Sequence, residues 1–229
     1  MIKLEKYDVV GWEHAIRGMR NPMNSWEKSD SECLRYSDGR PITSRWEIGP
    51  NDLDLMTRLR NAGPDHRKFM RMITVYVDIT APLYWWKEFD TYKVGTVANS
   101  CSTMHKIHAK EFTFDDFSRE HLLRFATCED NEFVKINGLD TSCIGVLGHI
   151  IDVLNKFREL YLETKDKKYW WQMIQLLPSS YNQKRTVMLN YEVLANMYKS
   201  RKNHKLDEWR DFCKWVEELP YSELIVGGE

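Results

Sequence analysis

Alternating apolar and polar positions are clearest between residues 73 and 79. The apolar positions are Ile73, Val75, Val77 and Ile79. A period of two is typical of a half-buried β-strand, so the sequence predicts a strand over 73–79. Shorter patterns of the same kind predict strands within residues 1–9 and over residues 186–189.

A period of 3.6 residues dominates most of the remaining chain and predicts amphipathic helices. Its sharpest example is the stripe of Ile144, Leu147, Ile151 and Leu154. The predicted helices are 82–91, 115–127, 139–165, 167–177, 190–201 and 205–218. We also expect a short helix followed by irregular structure within residues 11–50.

Capping and breaking residues bound several of these segments. Asn51-Asp52 and Gly63-Pro64 bracket one further helix, and Thr80 is the expected cap of the helix at 82–91. Pro178 ends the helix at 167–177. Long helices around a few strands predict a helix-rich α/β (α+β) fold, and the absence of a linker pattern predicts a single domain over 1–229.

Charge and composition narrow the function classes. Lys and Arg (33) nearly balance Asp and Glu (34), so no overall positive field points to a nucleic-acid partner. The five cysteines show no CxxC pair, which favours reduced thiols over disulfides or a zinc site. No signal-peptide pattern and no long apolar run occur, so we expect a cytoplasmic protein with no membrane partner.

A C-terminal segment carries the most specific pattern. It reads LPSSYNQKRTVMLNYEVLANMYKSR, with Asn190 twelve residues after Pro178 and Arg201 eleven after Asn190. This order resembles the C-terminal half of the flavin-dependent thymidylate synthases. The resemblance implies that Asn190, Asn196 and Arg201 reach a shared nucleotide and flavin pocket.

The central segment resembles the signature of the same family less closely. Aligning Ser102 with the Ser of that signature places Asn99 on its Asn. Tyr92-Lys93-Val94 then stands where the family has Arg-His-Arg, and Met104-His105 stands where it has Arg-Tyr. Upstream, Asp65-His66 resembles the family's Glu-His stretch.

Five positions depart from the arginines that the resemblance implies. They are Tyr92, Val94, Met104, Ile174 and Glu192. The resemblance implies that the arginines at the positions of Tyr92, Val94 and Met104 face the phosphates of flavin and nucleotide, and buried phosphates need charge-assisted partners. We therefore expect FAD binding to be weak or absent.

The candidate site consists of the residues that match the family pattern and of nearby residues that could replace the arginines. Those assigned to nucleotide binding are Ser102, Arg201, Asn190, Asn99, Lys93 and Arg210, and those assigned to a cofactor are His66, Asn196 and His105. Lys93, His105 and Arg210 could supply part of the lost charge. A basic cluster at 199–210 comprises Lys199, Arg201, Lys202, Lys205 and Arg210. One interpretation places Arg201 in the pocket with Lys202, Lys205 or Arg210 as replacement anion donors, and the alternative is a solvated helix–loop–helix corner. We assign no metal, because His105, His108 and Glu111 lack further ligands nearby in sequence.

Three functional hypotheses follow. The first is a diverged, non-synthase protein that binds a nucleotide or nucleotide-derived ligand. Its role would be to sequester or sense that ligand, as small phage proteins that intercept nucleotide signals do. The second is an active synthase that methylates dUMP with FAD, NADPH and methylenetetrahydrofolate. The third is a structural oligomer without ligand, disfavoured because polar side chains in apolar surroundings need a reason. The resemblance also implies a homotetramer.

Overall fold

The computed structural model describes residues 2–36, 43–124, 134–136 and 139–227. The fold is helix-rich α/β, as the sequence predicts. The helices are α1 (Trp12–Arg20), α2 (Pro50–Asn61), α3 (Leu83–Phe89), α4 (Cys143–Thr164), α5 (Lys167–Leu176), α6 (Tyr191–Arg201), α7 (Asp207–Glu217) and α8 (Glu223–Val226). The strands are β1 (Lys3–Val10), β2 (Glu32–Tyr36), β3 (Thr43–Glu47), β4 (Thr74–Pro82), β5 (Val97–Ser100), β6 (Val134–Ile136), β7 (Leu139–Thr141) and β8 (Asn182–Asn190).

A four-stranded sheet has the strand order β1-β4-β8-β5, and two antiparallel pairs, β2-β3 and β6-β7, stand outside it. The predicted strand at 73–79 is confirmed as β4, whose alternating residues are buried. Among the described residues, no helix combines the length and the apolarity needed to cross a membrane.

The chain divides into two compact units. Unit 1 comprises Met1–Lys3, Ile79–Asp90 and Asn99–Arg185. Unit 2 comprises Leu4–Asp78, Thr91–Ala98 and Thr186–Glu229. The core of unit 1 includes the predicted stripe of α4, with Leu147, Ile151 and Leu154 packed on Met173 of α5. In unit 2, Trp12 makes edge-on ring contacts with Tyr191 and Tyr221.

Several predicted boundaries are wrong for local reasons. The strand β4 continues to Pro82, so Thr80 lies inside it and Pro82 precedes α3. The helix predicted at 139–165 begins only at Cys143, because β7 occupies 139–141 and the Ser142 side chain caps the helix. The helix bracketed by Asn51-Asp52 begins at Pro50 instead, with Gly49 as its cap.

The helix predicted at 115–127 is the largest error. A single 3-10 turn spans Phe114–Asp116, and no helix follows it through residue 124. Residues 125–127 lie outside the described residues. Phe117 instead forms a β-bridge with Tyr181, and the Ser118 N–H donates to the carbonyl of Ser180. Pairing with a distant segment has replaced local helix formation here. The strand pair β2-β3 was also not predicted.

Candidate functional site

The side chain of Asn190 begins helix α6. Asn190 is the last residue of β8, and its Oδ1 accepts a hydrogen bond of 3.0 Å from the Val193 N–H. Asparagine is among the preferred residues at this position, because it satisfies a helix N–H that has no partner within the helix. The sequence prediction that Asn190 starts the helix is therefore confirmed.

The backbone at Gly95 approaches the same amide closely. Gly95 has a φ of +80°, and a Cβ at this position would lie 3.0 Å from Asn190 Nδ2. A larger residue would face both strain at a positive φ and a steric contact. Glycine thus allows the loop carrying Tyr92 and Lys93 to pass beside the N-terminus of α6.

Arg201, at the other end of α6, is held by two aromatic residues. Its Nε donates to the Tyr92 hydroxyl at 2.9 Å. Its guanidinium carbon lies 4.8 Å from the ring centroid of the buried Trp209 and 5.6 Å from that of Tyr92. Tyr92 stands at one of the positions where the resemblance implies arginine. The tyrosine at this position therefore positions Arg201.

Helix geometry separates the candidate residues of α6 into two faces. Asn190 and Arg201 are eleven positions apart, which is about three turns, so they lie on one face. Asn196 is six positions from Asn190 and lies on the opposite side, together with Glu192. Asn196 is exposed, and its Oδ1 accepts a hydrogen bond of 3.5 Å from Arg67.

Glu192, another position of an implied arginine, forms ion pairs with two arginines from a 3-10 helix, Arg67–Arg71. Glu192 Oε1 lies 3.2 Å from Arg67 Nε and 3.3 Å from Arg71 Nη2, and Oε2 also accepts from Arg71 Nε. Two positive charges and one negative charge leave a net charge of +1. Arg67 and Arg71 thus bring positive charge to this side of α6 from another segment.

The pKa of the Glu192 carboxyl reflects this environment. Burial raises it, but the hydrogen bonds from Arg71 and Arg67 outweigh burial, and the net pKa lies below the ordinary value. The carboxylate is therefore ionised at neutral pH.

The other candidates of unit 2 differ in their surroundings. His66 is exposed, and its backbone N–H donates to the Gly63 carbonyl. Lys93 is exposed in the loop before β5. Arg210 donates to the carbonyls of His204 at 2.9 Å and Lys205 at 3.2 Å and pairs with Asp207. These contacts of Arg210 fasten the corner before α7, which matches the structural alternative for this cluster.

Ser102 belongs to unit 1, where its hydroxyl organises a turn. Its Oγ accepts hydrogen bonds from the N–H groups of Met104 at 3.2 Å and His105 at 2.9 Å. The side chain of His105 is exposed, and Asn99 is exposed on β5.

Ser102 also lines a cavity of about 260 Å³ in unit 1. Among its other lining residues are Lys110, Tyr181 and Gln183. Gln183 Nε2 donates to the Cys101 carbonyl at 2.8 Å, and its Oε1 accepts from Arg185 Nε at 3.0 Å. The Gln183 amide is thus fixed at both ends.

The structure accordingly groups the candidates by unit. Asn190 and Arg201 share a face of α6, and Asn196 shares the other with Glu192, whereas Ser102, Asn99 and His105 belong to unit 1. The sequence interpretation missed Arg67 and Arg71. The signal available in the sequence was that Arg67 directly follows His66 and that Arg71 comes four residues after Arg67. Within the described residues, no group of His, Cys, Asp or Glu is arranged to hold a metal ion.

Comparisons with known proteins identify the fold. The chain is similar to the crystal structure of thymidylate synthase X (ThyX) from Helicobacter pylori with FAD and dUMP, at 18% identity and a TM-score of 0.61, covering 98% of this chain and 96% of that one. It is also similar to the UMP/dUMP methylase PolB from Streptomyces cacaoi bound with 5-Br dUMP, at 14% identity and a TM-score of 0.57, covering 95% and 89%. No protein-family model and no curated protein sequence matches the chain. The chain therefore has a ThyX-like fold.

Proposed function

We propose that this protein binds a nucleotide of the dUMP/UMP class through the face of α6 that carries Asn190 and Arg201. The observation that carries the proposal is the fixation of Arg201 by Tyr92 and Trp209. A guanidinium held in place loses little side-chain freedom when it meets a phosphate or a base edge. Structures with the same fold hold dUMP or 5-Br dUMP, which supports this ligand class.

The proposal includes three further statements. Residues 1–229 form a single flavin-dependent thymidylate synthase-like domain, the protein is a homotetramer, and its role is to hold a nucleotide rather than to methylate it. The groups assigned to the nucleotide are Ser102, Asn99, Lys93, Asn190, Arg201 and Arg210, and those assigned to a cofactor are His66, Asn196 and His105.

The donor set does not favour tight FAD binding. Val94 is apolar and 91% exposed, and the Tyr92 hydroxyl already accepts from Arg201, so neither position offers a cation to a pyrophosphate. One observation favours the active synthase as the second candidate, namely the net positive charge that Arg67 and Arg71 leave beside Asn196. Both candidates predict dUMP binding, and they differ in FAD binding and turnover.

Calorimetric titration with dUMP and UMP tests the nucleotide proposal. Arg201→Ala should weaken binding by about 2–5 kcal/mol, as truncation of a buried charged partner does. Arg58→Ala is the matched control, because Arg58 is exposed and pairs with the exposed Asp54 of the same helix, α2. Equal affinity of wild type and Arg201→Ala would refute the placement of the ligand.

Titration with FAD, followed by fluorescence quenching, separates the two candidates. We expect no affinity tighter than low micromolar, which corresponds to about −8 kcal/mol. A tighter affinity, together with methylation of dUMP in the presence of the folate and reductant, would establish the synthase instead.

A further inference from the structure

A small cavity in unit 2 is lined by positively charged side chains. It measures about 170 Å³ and lies among α2, α6 and the end of α8, and we call it the α2–α6–α8 cavity. Its polar lining consists of Arg60, Arg67, Asn196, Tyr198, Lys199 and Lys202. None of the described residues that line it is acidic.

Backbone and side-chain oxygens fix the two arginines. Arg60 donates from Nε to the Leu224 carbonyl at 3.2 Å and from Nη2 to the Ile225 carbonyl at 3.3 Å. Arg67 donates to Glu192 and Asn196. Both guanidiniums are therefore positioned before any ligand arrives, which reduces the entropic cost of binding.

The electrostatics around Arg60 favour an added anion. Burial lowers the pKa of the Arg60 guanidinium, and the neighbouring charge of Arg67 lowers it further. Arginine stays protonated at neutral pH despite such a shift. Glu192 offsets part of the Arg67 charge, and the repulsion that remains between the two guanidiniums falls when an anion binds beside them.

Lys199 of α6 and Lys202, which caps the C-terminus of that helix with helical backbone angles, stand on one stripe. Lys199 and Lys202 are three positions apart and exposed, and both line the cavity. Lysine carries a compact charge on a flexible stem, so the two ammonium groups can close over a ligand that the arginines hold. This stripe lies on the side of α6 opposite Asn190 and Arg201.

We propose that the α2–α6–α8 cavity is a second anion site, which binds a phosphate group separately from the nucleotide face of α6. Its volume is below the roughly 300–1,000 Å³ of typical small-molecule pockets, so it suits phosphate or pyrophosphate, or the phosphate end of a larger ligand, rather than a whole nucleotide. The proposal does not depend on dUMP binding at Arg201.

The test is calorimetric titration of the full chain with pyrophosphate, inorganic phosphate and dUMP, at two salt concentrations. The double variant Lys199→Gln/Lys202→Gln should weaken pyrophosphate binding at least about tenfold, with less salt dependence than the wild type. Both lysines are exposed, so the variant should fold normally, and circular dichroism verifies this. Lys214→Gln on α7, whose lysine pairs with Asp211, is the matched control.

The outcomes distinguish free phosphate from the phosphate of a nucleotide, and the α2–α6–α8 cavity from the site at Arg201. Loss of pyrophosphate binding in the double variant, but not in Arg201→Ala or Lys214→Gln, supports a site for free phosphate. If the double variant loses affinity for dUMP but keeps its affinity for pyrophosphate and phosphate, the cavity is a site for the phosphate end of a nucleotide. The proposal is overturned if the wild type binds none of the three anions, if the double variant binds all of them unchanged, or if Arg201→Ala abolishes pyrophosphate binding.

Discussion

At the scale of single residues, the buried ion pair between Arg20 and Asp52 holds a loop of unit 2 against helix α2. Arg20 Nε lies 2.7 Å from Asp52 Oδ1. The other carboxylate oxygen accepts from the hydroxyls of Ser29 at 2.7 Å and Ser31 at 2.6 Å. The Asp52 side chain is fully buried, so its charge depends on these partners.

Replacing Asp52 with Asn should therefore lower the free energy of unfolding by about 3–5 kcal/mol, because Arg20 would keep a buried charge without its carboxylate. Urea denaturation measures the effect. Asp54→Asn, on the same helix, is the control, since its pair with Arg58 is exposed and should contribute little. An equal loss in the two variants would contradict the role assigned to burial.

The same residue predicts a pH dependence. Burial raises the pKa of the Asp52 carboxyl, but the hydrogen bonds from Ser31, Ser29 and Arg20 outweigh burial and lower it overall. A lowered pKa gives stability that is complete above the unfolded value of about 3.9 and is lost as the pH falls through the folded value. The wild type should thus lose more stability than Asp52→Asn between about pH 4 and the folded pKa.

Residue identity alone misjudged the charge of the site. In the sequence, Tyr92 and Glu192 stand at positions where the resemblance implies arginine. In the structure, Tyr92 accepts a hydrogen bond from Arg201, and Glu192 forms ion pairs with Arg67 and Arg71. A sequence pattern gives the charge at each position, but it does not give the partners that folding brings from other segments. The spacing from Asn190 to Arg201 was informative because both residues belong to one helix.

At the scale of elements, hydrophobic period predicted most of the helices but only three of the eight described strands, β1, β4 and β8, and contacts decided where the elements end. The stripe of α4 located that helix, but Ser142 and strand β7 set its start. Pairing of Phe117 with Tyr181 removed a predicted helix altogether. Partners so far apart in the chain leave no periodic signal in either segment.

The Ser142 cap offers a test at this scale. Its Oγ accepts from the Gly145 N–H at 3.1 Å, and the side chain is buried. Ser142→Ala should lower the free energy of unfolding by about 0.5–2 kcal/mol, the usual cost of losing a helix cap. Denaturation of this variant beside Ser200→Ala, which changes an exposed serine on α6, would show whether the loss is specific to the cap.

At the scale of the whole molecule, the boundaries between the two units fall mostly inside strands rather than in linkers. The chain passes from one unit to the other between Asp78 and Ile79 within β4 and between Arg185 and Thr186 within β8. Domain boundaries normally lie in exposed linkers with few crossing contacts. The single domain over residues 1–229 stays a prediction.

Assembly provides the last prediction. The resemblance implies a homotetramer, and several large apolar side chains stand exposed in the single chain, including Val94 at 91% and Met23 at 77%. An apolar side chain as exposed as that of Val94 would be buried if it lay in a subunit interface. Light scattering coupled to size-exclusion chromatography should therefore give about 109 kDa, which is 4 × 27.3 kDa.

Val94→Lys should lower that mass, because a charged side chain in an apolar interface is costly to desolvate. Lys93→Gln changes the adjacent exposed residue without adding a charge and should leave the mass unchanged. A wild-type mass of one chain over a wide concentration range would refute the tetramer. If the wild type is tetrameric and Val94→Lys is too, the loop after α3 lies outside the interface.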